Sequence, residues 1–331
     1  MTARPPIGLV ALLLVLAAAC APRPPGPQEI VTIPPGATVR VVAESLAAHG
    51  VIRSSLWFRV TTRLSGEDRR LQQGVYAFRR GQGSGSARRA LVSGQALLNR
   101  FTVPEGWTLL DIAAAAERQL AIPGERFLAG ARDSALLREF EVPGQSFEGY
   151  LRPETYLVGS GISAPRMIRV MAATFRSQWK PEWDSMARTQ GLDRRAVVIL
   201  ASIVEAEAKV DRDRPLIAAV YRNRLRLGMP LQADPTVQYA LQHATGTRKP
   251  LLFDKDYGFD SEYNTYLHPG LPPGPVGAPG WKSVEAVLAP AQVSFLYFVA
   301  GPDGSHVFSR TYREHLRAVR AVRRRTVSGE R

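Results

Sequence analysis

Two carboxylates, Glu205 and Glu207, stand at the end of a long apolar stretch. From Ala196 to Val204 the only polar side chain is Ser202. A helix that is apolar on nearly every side is expected to be buried on nearly every side. A carboxylate carried into that setting loses hydration, so its pKa should rise. That is how a protein obtains a general acid that still holds its proton near neutral pH. Asp193 stands just ahead, where an N-cap belongs. At about 100° per residue, Glu207 shares a face with Ala196, Leu200 and Ile203, and Glu205 falls beside Val198, Ala201 and Ser202. Periodicity therefore announces a buried carboxylate without choosing between the two.

Further polar groups follow in otherwise apolar surroundings. Gln232, Asp234 and Thr236 lie in Met229–Tyr239, and Asp234-Pro235 marks a turn or a helix start. In Tyr263-Asn264-Thr265-Tyr266, the tyrosines offer flat faces for sugar rings and Asn264 offers a donor and an acceptor for an acetamido group. The proline–glycine run Gly270–Gly280 excludes a helix or a central strand and predicts a shaped loop. Phe147–Tyr156 carries Glu148 and Glu154 among aromatic rings, which suits a groove lining or a buried linker equally. The five histidines are scattered without metal-ligand spacing. There is no G-x-S-x-G elbow, and Gly81–Gly85 matches no phosphate-binding loop. Neither a metal nor a cofactor is expected.

The elements that position these groups begin with an internal repeat. Thr32, Pro34, Gly36, Thr38 and Ala43 recur as Thr102, Pro104, Gly106, Thr108 and Ala113. Each copy reads as a short strand, a Pro-x-Gly turn, a capping threonine and an apolar helix, Val39–Ala48 in one and Leu109–Leu120 in the other. Between them, Leu71–Phe78 ends as a strand and Arg88–Val92 reads as a short helix. Met167–Trp183 predicts one helix, and Pro215–Leu227 another that Gly228 stops. Ser294–Val299 and Ser305–Phe308 predict a hairpin turning at Gly301–Gly304.

At 331 residues, two or three domains are expected. The net charge of +14 favours polyanions: nucleic acid, anionic membrane surfaces or acidic wall polymers. The apolar run Ile7–Ala19, followed by Cys20 and a proline-rich stretch, suits a signal peptide or a short membrane anchor. Ala17-Ala18-Ala19-Cys20 also resembles a lipobox, which makes Cys20 a lipidation candidate. With Gln28 onward outside the cytoplasm, nucleic acid is excluded as a partner. Cys20 is the only cysteine, so no intrachain disulfide can form. The arginine-rich tail Arg317–Arg325 reads as a solvated helix, a membrane-surface patch or, on charge alone, a nucleic-acid patch.

Taken in order, Ile199–Glu207, Asn223-Arg224-Leu225, Leu231–Val237, Tyr263–Tyr266, Gly270–Gly274 and Leu296–Val299 resemble the YceG-like family of endolytic murein transglycosylases. Glu148–Leu151 and Pro153–Tyr156 fit the same pattern. The resemblance implies an α+β chain, with a LysM-like N-terminal region ahead of a lysozyme-like catalytic domain. The expected division is an anchor at 1–20, a linker at 21–29, a LysM-like subdomain at 30–100, a related subdomain and connector at 101–160, the catalytic domain at 161–320 and a basic tail at 321–331. Family members usually carry a longer transmembrane helix in front, so the anchor is expected to be either lipid or a single span at the inner membrane. Motif matching places the catalytic acid at Glu205, with Ser202, Glu207 and Glu148 supporting it. Gln232, Asp234, Tyr263, Asn264 and Tyr266 would bind substrate. The implied partners are peptidoglycan strands and peptidoglycan synthases. The implied reaction cleaves the bond between N-acetylmuramic acid and N-acetylglucosamine and leaves 1,6-anhydro ends. Two other readings remain at this stage: a wall-binding protein without activity, and a muramidase-type hydrolase.

Overall fold

The computed structural model describes residues 26–34, 36–94, 98–159 and 162–328, which fall into two compact units, one ending at Asn99 and the other beginning at Arg100. In the first unit, β1 (Gln28–Ile33) pairs antiparallel with β2 (Gly74–Arg79), in register from Gln28↔Arg79 to Ile33↔Gly74. Between them come α1 (Val39–Ala48) and α2 (Ser55–Leu64), and α3 (Ser84–Ser93) follows. Alternation along the strands turns Val31, Ile33, Tyr76 and Phe78 inward onto Val42, Leu46, Phe58 and Leu91. Thr38 and Ser54 cap α1 and α2 by accepting from Val41 N and Trp57 N.

The strand β3 (Leu98–Thr102), which leads from the first unit into the second, pairs with β4 (Thr155–Gly159). Between these strands lie α4 (Leu109–Leu120), α5 (Gly124–Gly130) and α6 (Ser134–Glu139). Thr108 caps α4 in a full capping box with Asp111. The predicted bounds of α1 and α4 coincide with the observed ones. Then come α7 (Ala164–Gln178), α8 (Pro181–Thr189), α9 (Arg194–Glu207), α10 (Arg214–Arg226), α11 (Asp234–Thr245) and α12 (Trp281–Leu288). The single helix predicted over Met167–Trp183 is instead two. Pro181 disfavours helical backbone at Lys180, and the chain turns at Trp179 with ψ 117°. The hairpin β5 (Tyr297–Ala300) and β6 (His306–Ser309) turns where predicted, and α13 (Tyr312–Ser328) carries the arginine-rich tail. Arg194–Glu207 is the central helix. Every residue from Val197 to Val204 is buried, and α8, α10, α11 and α12 pack around it. Residues 101–160 and 161–320, read as separate segments in the sequence, share this one core. Among the described residues, no helix is long and apolar enough to cross a membrane. Cys20, the apolar run before it and most of the proline-rich linker lie outside them.

Candidate active site: two carboxylates on one helix

Asp193 caps α9, its Oδ1 accepting from Ala196 N at 2.7 Å. The helix ends at Glu207. Residues two apart on a helix diverge by about 200°, so Glu205 and Glu207 enter different surroundings.

Glu205 is held on all sides. Its Oε2 accepts from Gly280 N at 3.0 Å and from Ser283 Oγ at 2.8 Å, and its Oε1 lies 3.1 Å from the Arg214 guanidinium. Its side chain is 7% exposed and that of Arg214 is 11% exposed. Arg214 also reaches Ser283 Oγ and Asp211. Gly280 closes the proline–glycine loop and starts α12, so Glu205 ties that loop to the central helix. Glu105 stands against the same glycine. A Cβ built on Gly280 would lie 2.1 Å from the Glu105 carboxylate, so a larger residue there would push that side chain aside. Burial, and then the charge of Glu205, push the Glu105 carboxyl above its ordinary range. Ser202 secures the other end of the assembly. Its hydroxyl donates to Ile199 O and accepts from Val276 N at 2.9 Å, which pins the loop to α9.

Glu207 opens instead on a cleft of about 460 Å³, shared with Tyr221, Gln232, Asp234, Tyr257 and Tyr266, and backed by Phe298 and His306. Tyr221 donates to Glu207 Oε1 at 2.8 Å. Burial nevertheless raises the Glu207 carboxyl to about 7. Tyr266 donates to Asp234 Oδ1 at 2.6 Å and packs its ring 4.6 Å from that of Tyr257. Gln232 is exposed, yet its backbone is left-handed at φ 50°. That conformation is costly for a residue with a Cβ and persists only where the surroundings impose it. They do so here. Gln232 N donates to Thr265 O. The buried Arg224 grips the carbonyls of Pro230, Leu231 and Leu296.

The predicted binding residues therefore divide. Gln232, Asp234 and Tyr266 gather around Glu207, not around Glu205. Asn264 is fully buried. Its amide donates to Tyr257 O and Phe259 O while its Oδ1 accepts from Tyr266 N, so it shapes the segment that presents the tyrosines and, with both N–H donors spent, lies out of reach of an acetamido partner. Tyr263 packs on Tyr239, at 4.7 Å between ring centroids, beside Glu148. Glu148 is buried at the start of α4, where it accepts from Leu109 N and from Tyr239 OH at 3.1 Å, and burial raises it to about 8. Sequence reasoning missed Glu105, Arg214, Tyr221, Tyr257 and the pair His306–Asp213, joined at 3.0 Å through Nδ1. Glu105 sits in the Pro-x-Gly turn of the second repeat and gave no signal beyond turn chemistry.

A mixed helix-and-strand chain whose buried central helix ends in two carboxylates beside a polar, tyrosine-lined cleft defines the class. The chain belongs to the YceG-like family, whose model matches residues 31–321. Among similar proteins, the endolytic murein transglycosylase of Bacillus subtilis is 32% identical over 87% of this chain and 83% of that one. The endolytic murein transglycosylase of Streptococcus pneumoniae strain D39 is 28% identical over 87% of this chain, which spans 57% of that longer relative. A crystal structure of a yceG-like protein from Listeria monocytogenes matches with a TM-score of 0.63 at 29% identity, over 88% of this chain and 98% of that one.

Proposed function

We infer that this protein is a lyase that cuts peptidoglycan strands internally, an endolytic murein transglycosylase, and that Glu207 is its acid and base. The observation that carries this assignment is the company Glu207 keeps: a carboxyl raised to about 7, open to a cleft lined by Gln232, Asp234 and Tyr266. The protonated carboxyl would donate to the oxygen between N-acetylmuramic acid and N-acetylglucosamine as that bond breaks. The resulting carboxylate would take the proton of the muramic acid 6-hydroxyl as its oxygen bonds to the anomeric carbon. The products are a free 4-hydroxyl and a 1,6-anhydro end, with no water consumed. A second carboxylate to activate water is therefore not required. Asp234, oriented by Tyr266, is placed to stabilise positive charge developing on the sugar.

The motif resemblance favours Glu205 for the same role. Supporting that second reading are the donors from Gly280 and Ser283 and the neighbouring Glu105. Against it stands the company Glu205 keeps: Arg214, Gly280 N and Ser283 Oγ already occupy its oxygens, and none of the predicted substrate-binding residues gathers around it. Glu207→Gln should cut release of anhydro-muropeptides from purified sacculi by about 10²–10⁴-fold without lowering the thermal unfolding midpoint. Near-normal release by this variant together with none by Glu205→Gln would return the role to Glu205. Products heavier by one water would replace the transglycosylase with a hydrolase.

The strand–helix–helix–strand arrangement of the first unit supports reading it as LysM-like, and the helices around α9 support a lysozyme-like catalytic domain. The N-terminal run supports an anchor at the cytoplasmic membrane, lipid-borne through Cys20 or single-pass, with both units outside the cytoplasm. There the chain would meet nascent strands and the synthases that make them.

A further inference from the structure

The first unit carries an apolar face that nothing in the unit covers. On α2, Leu56, Trp57, Val60 and Leu64 are 65, 63, 42 and 83% exposed. At about 100° per residue they fall within an arc of roughly 100°, one continuous stripe along the helix. The buried side chains of the same helix, Phe58 and Thr62, point the opposite way into the core. So the stripe is not a frayed edge of the interior. It is a second apolar face on a helix whose first face is already buried. Contiguous exposed apolar surface of this kind marks an interaction site.

Charge indicates what covers it. Arg59 and Arg63 border the stripe and Arg53 precedes the helix. All of them are exposed, and none has an acidic partner among the described residues. The helix contains no acidic residue. An exposed tryptophan and leucines beside arginines is the composition of helices that lie in the membrane interface: the apolar face enters the acyl boundary and the guanidiniums stay with anionic head groups. Chain length agrees. The seven residues Cys20–Gly26 span about 25 Å even when fully extended, and a unit of this size is about 28 Å across. With Ile7–Ala19 in the bilayer, a tether this short holds the first unit close against the head groups.

We propose that α2 is a membrane-docking helix, and that Trp57 and Leu64 insert into the interface of an anionic bilayer while Arg59 and Arg63 bind its head groups. This goes beyond an N-terminal tether, because it fixes the orientation of the first unit on the membrane. The test uses the full chain with Cys20→Ser and Leu64→Cys, labelled at that sole cysteine with an environment-sensitive fluorophore. Added to vesicles containing phosphatidylglycerol, the label at 64 should shift to the blue and brighten. The same label at Leu227→Cys, an exposed position of the second unit, should stay water-like. Arg59→Glu with Arg63→Glu, or vesicles of phosphatidylcholine alone, should diminish the shift at 64. The proposal fails if the label at 64 stays as water-like as that at 227 although the chain sediments with the vesicles. It fails equally if the chain does not bind, or if the shift ignores both lipid charge and the arginines. A shift that needs no lipid and grows with protein concentration would assign the face to a second copy of the chain, which also overturns the proposal.

Discussion

Glu205 and Glu207 lie two residues apart on one helix, and their surroundings are built to different ends. Around Glu205, the donors from Gly280, Ser283 and Arg214 fill the carboxylate and join the proline–glycine loop, α10 and α12 to the central helix. Around Glu207, one phenol donates and the rest of the group faces a cleft. A fully satisfied buried charge is a structural fastener, and removing one partner strands the other. A partly satisfied carboxyl whose charge is disfavoured by burial is a proton donor in waiting. Burial alone does not separate the two; the number and charge of the partners does.

The sharpest way to break this contrast is to neutralise each carboxylate by one atom. Glu207→Gln removes the proton that the proposed chemistry needs, and the expected loss in rate is about 10²–10⁴-fold, the usual contribution of a positioned acid–base group. The pH profile gives an independent check. With Glu207 required in its protonated form and its pKa raised to about 7, activity should fall as pH rises through that value. A rate that rises through the same window would rule out Glu207 as the acid. Glu205→Gln should act chiefly on the fold. It leaves Arg214 nearly buried without its carboxylate, and losses of this kind reach about 3–5 kcal/mol for fully buried pairs. Because Arg214 retains Asp211, a value at or below the low end of that range is expected. Chemical denaturation measures it, and an unchanged midpoint with lost activity would reverse the two roles.

Much of the frame was legible in the sequence. The buried run of α9, its Asp193 cap, the bounds of α1 and α4 and the hairpin at Gly301–Gly304 all follow from local rules, and local rules were enough. The break at Pro181 was equally local and was simply outweighed by the apolar pattern around it. The site was legible only in part. Helix periodicity states which way Glu205 and Glu207 point relative to α9, but not what stands opposite. Arg214 comes from the start of the next helix, Glu105 from a turn in the second repeat, and Ser283 from the far side of the proline–glycine loop. Asn264 illustrates the same limit. Its chemistry suits a sugar amide equally well whether it faces solvent or three backbone groups, and only the fold decides.

Glu148, which shares a hydrogen bond with neither carboxylate's partners, gives a separate test. Its pKa is raised from the ordinary glutamate range to about 8 by burial. The folded protein therefore keeps a proton that the unfolded chain releases at lower pH. By linkage, this stabilisation is complete below about pH 4.5 and is lost as pH climbs from there to about 8. The slope approaches about 1.4 kcal/mol per pH unit at most. Glu207 adds a slope of the same sign that ends near pH 7. Unfolding free energies measured across this range should flatten in Glu148→Gln, most visibly between pH 7 and pH 8, where Glu148 still contributes after Glu207 has titrated. A variant that keeps the full slope would place the titrating group elsewhere.

The smallest expected effect is at Gln232, and it bears directly on the proposed site. Its left-handed backbone costs about 1–2 kcal/mol for a residue with a Cβ. Glycine adopts that conformation freely but gives the unfolded chain more entropy to lose, an offset of about 0.4–1 kcal/mol. Gln232→Gly should therefore leave stability between unchanged and about 1.6 kcal/mol above the parent. Were the left-handed turn only a local accident, activity would follow stability and stay near normal. If the strain serves to aim the exposed amide into the cleft beside Glu207, the glycine variant keeps the fold and loses substrate grip. KM should then rise, with kcat less affected. Because Gln232 lines the Glu207 cleft and stands apart from the Glu205 assembly, a raised KM in a fully stable protein would locate the substrate on the Glu207 side of the helix.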